Sequence, residues 1–182
     1  MVRTQATIEI VHASIIDQDV DAVVNAANTG LTDGGGITGV IFKQAGQGLP
    51  CEIKQNYPHG TKTGTAVITG GHGLRQKYII HTPGPVWHGG IDGEADLLES
   101  CYRSVLEVAE AQGLRSIAFC SISTGIYGYP LTKAAPLALR TVKYYLDRLP
   151  ETSLERVVFA LFGESEYQAF TKAWAELSGE DA

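Results

Sequence analysis

Long hydrophobic runs are missing from this chain. Its longest unbroken apolar stretch is six residues, Val157 to Phe162, whereas a membrane span needs about 20, so no membrane partner is expected. The opening MVRTQATIEI holds no continuous apolar segment, and a secretory leader is not expected either. Cysteine is scarce: Cys51, Cys101 and Cys120 are an odd number, far apart and without a CxxC pair. That argues against a disulfide scaffold or a zinc ribbon and fits a reducing, cytoplasmic setting. Basic charge is also short, with 14 Lys and Arg against 20 Asp and Glu for a net charge of −6. Without a Lys/Arg cluster there is no footprint for general nucleic-acid binding. The sequence contains no GxxxxGK[ST], HExxH or GxSxG, so P-loop, zincin and α/β-hydrolase chemistry find no support. His12, His59, His72, His81 and His88 show no metal-ligand spacing, and neither metal nor cofactor is expected. His81, at a strand end, reads as a hydrogen-bonded structural residue.

What is abundant is glycine, 21 of 182 residues, bunched at 30–48, 70–73, 84–93 and 125–128. The remaining composition, 44% hydrophobic and 19% charged, is that of a globular chain. A chain of this length buries roughly 70% of its unfolded surface. One domain over residues 1–177 is expected, with 178–182 a loose acidic tail.

Periodicity places the elements. ATIEIVH (6–12) alternates as a half-buried strand, and Ala22 to Val24 reads as a short buried strand running into a polar loop. Ile37, Val40, Ile41, Gln44 and Ala45 recur as on a short helix, and a weaker helix holds Cys51, Ile53 and Lys54. TAVITGG (65–71) and KYIIHT (77–82) read as two strands joined by a glycine-rich turn. Then come a helix from Glu94 to Gln112 stopped by Gly113, a strand over 116–122, and a helix from Leu131 to Leu149. Pro136 in that helix is expected in or near its first turn. A strand from Arg156 to Phe162 and a helix from Glu164 to Leu177 close the chain. Such alternation predicts a three-layer α/β/α domain around a mixed or parallel sheet, with its ligand crevice beyond the strands' carboxyl ends.

Two loops leave buried strands at that end, Asn25–Gly39 and Ser121–Pro130. In the first, Gly34, Gly35 and Gly36 permit close backbone approach and run into a helix N-terminus, which attracts anions. Asn25 and Asn28 supply amides suited to sugar hydroxyls. In the second, Ser121, Ser123 and Thr124 offer hydroxyls, Gly125 and Gly128 free the backbone, and Tyr127 stands to cover the ligand. Each loop by itself also fits an ordinary turn; two at one sheet end favour a diphosphate flanked by sugars. Gly34, Gly36 and Gly39 also form a GxGxxG, a weak pointer to a Rossmann dinucleotide site because the strand does not end directly before it.

VDAVVNAAN (20–28), the glycines 34–36, TGTAVITGG (63–71), KYIIHTPGPVW (77–87), SCYRSVLEVA and above all SIAFCSISTGIYGYP (116–130) together resemble the macrodomain family, and within it the MacroD-type ADP-ribosyl hydrolases. The likeness runs from Ile8 to Phe170. It implies a macrodomain-like α/β/α sandwich with a mixed central sheet that binds ADP-ribose and ADP-ribosylated proteins. It further implies that Ser123, Thr124, Gly125, Ile126 and Tyr127 wrap the diphosphate. Asn28 would bond the distal ribose, Gly34–Gly36 would wall it, with Gly35 in the reacting region, and Phe162 would lie over adenine. Two departures stand out. Thr38 occupies the place of the family's catalytic-loop aspartate, and a threonine hydroxyl is no general base at neutral pH. Ser14, followed by Ile15, replaces the aspartate of the adenine-binding turn. Asp33 is the nearest alternative carboxylate, although its loop position suits a turn-former.

Two functions follow: a hydrolase that frees ADP-ribose from esters on Asp or Glu side chains, or from O-acetyl-ADP-ribose, and a non-enzymatic ADP-ribose reader. In the first, catalysis would rest on positioning. A dinucleotide oxidoreductase is a weaker third.

Overall fold

Period-two and unbroken apolar segments pair side by side, while the period-3.6 segments cover them. The computed structural model describes residues 5–179. In chain order it contains β1 (Thr7–His12), a 3-10 turn (Ile15–Asp17), β2 (Ala22–Ala27), α1 (Gly36–Ala45), α2 (Gly48–Asn56), β3 (Val67–Gly70) and β4 (Tyr78–Pro83). Then follow α3 (Glu94–Ala111), β5 (Ser116–Phe119), α4 (Leu131–Arg148), β6 (Arg156–Leu161) and α5 (Glu164–Ser178). The strands form one six-stranded sheet in the order β1-β6-β5-β2-β4-β3. All neighbours are parallel except β3, which runs antiparallel to β4. The expected mixed sheet is therefore present. Helices α3, α4 and α5 pack side by side; right-handed connections put them on one face and α1 with α2 on the other.

The strands next to the sheet centre are buried on both faces, and β1 at the edge is only half-buried, as a covered parallel sheet requires. A file of aromatic rings ties helices to sheet: Tyr102 to Phe119 at 5.0 Å, Phe119 to Phe159 at 5.3 Å and Phe159 to Phe170 at 5.4 Å between centroids. Each such buried side chain stabilises the fold by about 1.5–3 kcal/mol. Glu94 begins α3 and folds its carboxylate over the preceding loop, accepting the N–H groups of His88 at 2.7 Å, Gly90 at 3.1 Å and Asp92 at 2.8 Å. Burial works to raise its pKa, yet these backbone donors outweigh it and hold the carboxyl down to about 2.

Several boundaries differ from expectation for identifiable reasons. Strand β2 continues through Asn25 to Ala27 because β4 pairs with it along that whole length, Ala22 opposite Tyr78 through Ala27 opposite Pro83. Strand β5 stops at Phe119, since only Ala22 and Val23 of β2 pair with it and the two chains then diverge. Pro136 lies beyond the first turn of α4, which starts at Leu131; the bond it forgoes is to the Thr132 carbonyl. Helix α5 runs to Ser178, one residue into the expected tail, and residues 180–182 lie outside the described residues. Among the described residues, no helix is long and apolar enough to cross a membrane.

Candidate functional site

Where β2 and β5 diverge, their loops open a cleft of about 280 Å3. One wall is Asn28, Gly34, Gly35, Gly36, Ile37 and Thr38, and the other is Ser121, Ser123, Gly125, Ile126 and Tyr127. Ala26, Cys120 and Gly84 form its floor, and Glu166 closes one side. Both expected loops thus face each other at the carboxyl ends of the strands. They come close at Gly35, where a Cβ would lie 3.2 Å from Ile126 Cδ1, and Ile126 is 85% exposed.

Both walls present backbone donors. Among the described residues, the N–H groups of Ser123 through Tyr127 have no protein acceptor, while the loop is closed behind them. Gly128 N–H bonds Gly125 O at 3.0 Å, Tyr129 N–H bonds Ser123 O at 2.9 Å, and Trp87 N–H bonds Tyr127 O at 2.9 Å. The Trp87 ring lies 4.6 Å from that of Tyr129, bracing the loop from outside. Tyr102 supports its start, its phenol oxygen accepting Ile122 N–H at 3.3 Å. On the opposite wall α1 begins at Gly36 with no side-chain cap, so its first N–H groups are open at the positive end of the helix. Facing arrays of N–H donors form a site for an anion with two phosphate-like groups.

Ser123 is held at φ +67°, a conformation that costs a non-glycine residue about 1 kcal/mol or more. It is buried, and its hydroxyl lacks a hydrogen-bond partner. Gly84 makes the arrangement possible: a Cβ there would sit 2.2 Å from Ser123 Oγ and 2.7 Å from Ile122 Cγ2. Gly84→Ala is expected to push the loop outward and destabilise the protein by about 1–3 kcal/mol, read as a lower midpoint in urea melts. An unchanged midpoint would show the loop is not braced by that contact.

The other expected residues divide. Asn28 lines the cleft, but its amide also clamps its own loop: Oδ1 accepts Thr32 N–H at 3.0 Å and Nδ2 donates to Thr32 O at 2.9 Å, leaving one amide proton free. Thr38 lines the cleft with its hydroxyl turned inward, donating to Asn25 Oδ1 at 3.1 Å and Ala26 O at 2.9 Å. Asp33, the nearest alternative carboxylate, takes the turn-forming place its loop position suited and does not stand as a substitute base. Its Oδ1 accepts Gly34 N–H at 2.7 Å as a turn-former, and it lines a separate groove behind the glycine loop. Asn25 requires correction: it sits inside β2, fully buried and absent from the cleft lining, its amide oxygen accepting from Thr38 and its nitrogen donating to His81, so it is out of reach of a sugar. Thr124 stands behind the wall, donating to Ser121 O at 3.1 Å; with its proton so used, it accepts the Ser121 hydroxyl at 2.6 Å. Ser14 and Ile15 follow β1, and Ile15 packs its side chain in the core, so only its backbone is left to face a ligand. Phe162 follows the end of β6 and is 81% exposed.

His81 completes a buried chain running from the cleft to the sheet edge. Asn25 Nδ2 donates to His81 Nδ1 at 3.2 Å, which leaves the proton on Nε2 to reach Thr69 Oγ1 at 2.9 Å. Burial lowers the imidazole pKa from 6.5 to about 4, so the ring is neutral as the structural reading of it requires. The unfolded chain binds this proton below pH 6.5 and the folded chain only near pH 4. Stability should therefore fall between those pH values, by on the order of 3 kcal/mol. Denaturant melts from pH 7 to 4 check this, and His81→Gln should flatten that limb.

Gly84, directly after β4, and Glu166, in α5, also line the cleft, and no local pattern in the chain marks either as a site residue. Among the described residues no cluster of His, Cys, Asp and Glu could hold a metal ion.

Comparison with known proteins fits this geometry. The Macro domain family model matches residues 24–138. A macro domain-containing protein of Caldanaerobacter subterraneus subsp. tengcongensis is 44% identical over 172 residues, covering 93% of this chain and 97% of that protein. A Salmonella typhimurium protein named O-acetyl-ADP-ribose deacetylase is 43% identical over 169 residues, 91% of this chain and 92% of its own. Among solved structures, the Oceanobacillus iheyensis macrodomain with ADP superimposes with a TM-score of 0.87 at 38% identity, covering 97% of this chain and 94% of that one. The Trypanosoma brucei macrodomain in complex with ADP-ribose gives 0.82 at 39% identity, covering 92% and 68%. With nearly its full length matching theirs in sequence and in fold, the chain belongs to the macro domain family.

Proposed function

We propose that this chain binds ADP-ribose along the cleft and hydrolyses its esters, freeing ADP-ribose from modified Asp or Glu side chains of proteins or acetate from O-acetyl-ADP-ribose. The observation that carries the reading is the pair of facing, unpartnered N–H arrays at Ser123–Tyr127 and the start of α1. A diphosphate between them leaves one ribose beside Asn28 and Gly34–Gly36. The adenosine half then extends toward the ends of β6 and β1, where Phe162, Ser14 and the Ile15 backbone stand. Names and ligands among the relatives point the same way.

In the reaction, water adds to the ester carbonyl, the bond from that carbon to the ribose oxygen breaks, and the oxygen takes up a proton. The products are ADP-ribose and a free acid, the side-chain carboxylic acid in one case and acetic acid in the other. Thr38 has committed its proton to Asn25 and Ala26 and Asp33 points away, so neither is the base. The free Asn28 amide proton, the glycine backbone and a ligand phosphate oxygen would aim the water, rate coming from orientation.

The same commitment of Thr38 favours a second reading, a binding module without turnover. Incubation with an ADP-ribosylated glutamate peptide and with O-acetyl-ADP-ribose separates them. Stoichiometric excess release of ADP-ribose or acetate supports the hydrolase, while tight binding with no release leaves the reader.

A further inference from the structure

Glu166 is a carboxylate in a cleft otherwise built to attract anions. It stands in the first turn of α5, half-buried, and lines the cleft together with Cys120, Ser121 and Ala26. Among the described residues it has neither an ion-pair nor a hydrogen-bond partner; its Oε1 folds back to within 3.4 Å of where a Cβ on Gly163 would lie. Burial lifts its pKa above the ordinary carboxylate range. A partly desolvated carboxylate without a partner is costly unless a ligand supplies donors.

Those donors must be neutral. The two N–H arrays already take the phosphates, and a carboxylate repels a further anion. In ADP-ribose the neutral donors flanking the diphosphate are the two ribose diols. The diol near Asn28 lies at the β2 side of the cleft. Glu166 enters from α5, which packs against β1 and β6, beyond β5 in the sheet order. It therefore meets the other diol. Resting on the ADP-ribose reading above, we propose that Glu166 is a specificity-determining residue whose carboxylate accepts the 2′- and 3′-hydroxyls of the adenosine ribose. One consequence is discrimination: the site favours an unmodified diol and rejects a 2′-phosphate by like-charge repulsion. The ligand class narrows to derivatives of NAD over those of its 2′-phosphorylated form.

Calorimetric titrations of the parent, Glu166→Gln and Glu166→Ala proteins test this with three probes. These are ADP-ribose, its analogue lacking the adenosine 2′-hydroxyl, and its analogue with a 2′-phosphate there. The parent should bind the deoxy analogue about tenfold more weakly than ADP-ribose, as expected for one charge-assisted hydrogen bond, and the 2′-phosphate analogue more weakly still. Glu166→Ala should bind ADP-ribose about tenfold less well, lose the preference for the hydroxyl and tolerate the phosphate better. Glu166→Gln, isosteric and uncharged, should fall between on the hydroxyl and match Ala on the phosphate. Parent-like affinity and discrimination in Glu166→Ala would overturn the assignment with ADP-ribose binding intact. A parent protein that binds none of the probes overturns the functional reading itself.

Discussion

Gly125→Glu should abolish ADP-ribose binding in a protein that still folds. A Cβ on Gly125 meets nothing within 4 Å, and the residue is exposed without positive φ, so the backbone accepts a side chain there. The variant should therefore melt like the parent. Its carboxylate, however, would stand in the row of N–H donors from Ser123 to Tyr127, where the diphosphate is proposed to lie. Two like charges at about 4 Å repel by about 4 kcal/mol near a protein surface, enough for a loss of a hundredfold or more. Gly125→Ala should bind nearly as well as the parent, and Gly125→Gln should fall between, which separates charge from bulk. Parent-like affinity in a folded Gly125→Glu protein would mean that the cradle lies elsewhere.

Asn28→Ala should cost hydrolysis far more than binding. The substitution removes the free amide proton that would orient the ribose and the water. Misplacement of a reacting group by about 1 Å can slow a reaction about a hundredfold, whereas one lost neutral hydrogen bond weakens binding by only about threefold to tenfold. Asn28 also clamps Thr32, so part of the binding loss should come from a looser loop. Single-turnover release from an ester-linked peptide, set beside calorimetry, gives the two effects separately. Thr38→Asp supplies the opposite test. With Asn25 Oδ1 and Ala26 O as neighbours, a carboxylate is repelled from the inward position and turned toward the cleft, where it can take a proton from water. Turnover should rise. A slower Thr38→Asp enzyme with unchanged affinity would show that positioning by Asn28 is not the rate-limiting lever. Asp33→Asn should be mild, because that carboxylate faces its own turn.

Much of this arrangement was legible in the chain because local chemistry sets it. The glycine run ahead of Ile37 and the SISTGIYGYP segment carry their backbone exposure in their own composition, and both became walls of the cleft. Long helices with apolar positions at helical spacing, α3 and α4, fell within a residue of expectation. What was not legible depends on partners far away in sequence. Asn25 reads as a loop amide only until His81 and Thr38, 56 and 13 positions away, satisfy it inside the sheet. The early end of β5 follows from how few residues of β2 pair with it, which no local pattern reports. Gly84 matters only because Ser123 folds over it, and Glu166 reaches the cleft only because α5 packs beside the loop after β5. Asp33 shows the converse: a carboxylate close in sequence to the glycines, yet turned by one backbone hydrogen bond to the far side of its loop.

Calorimetric titration of ADP-ribose into the unmodified protein, with and without a chelator, bears most directly on the cleft as its binding site. The facing N–H arrays predict a saturable heat for one molecule per chain, the same in both buffers. The absence of measurable binding, or binding that disappears with the chelator, would contradict a cradle made of backbone donors alone.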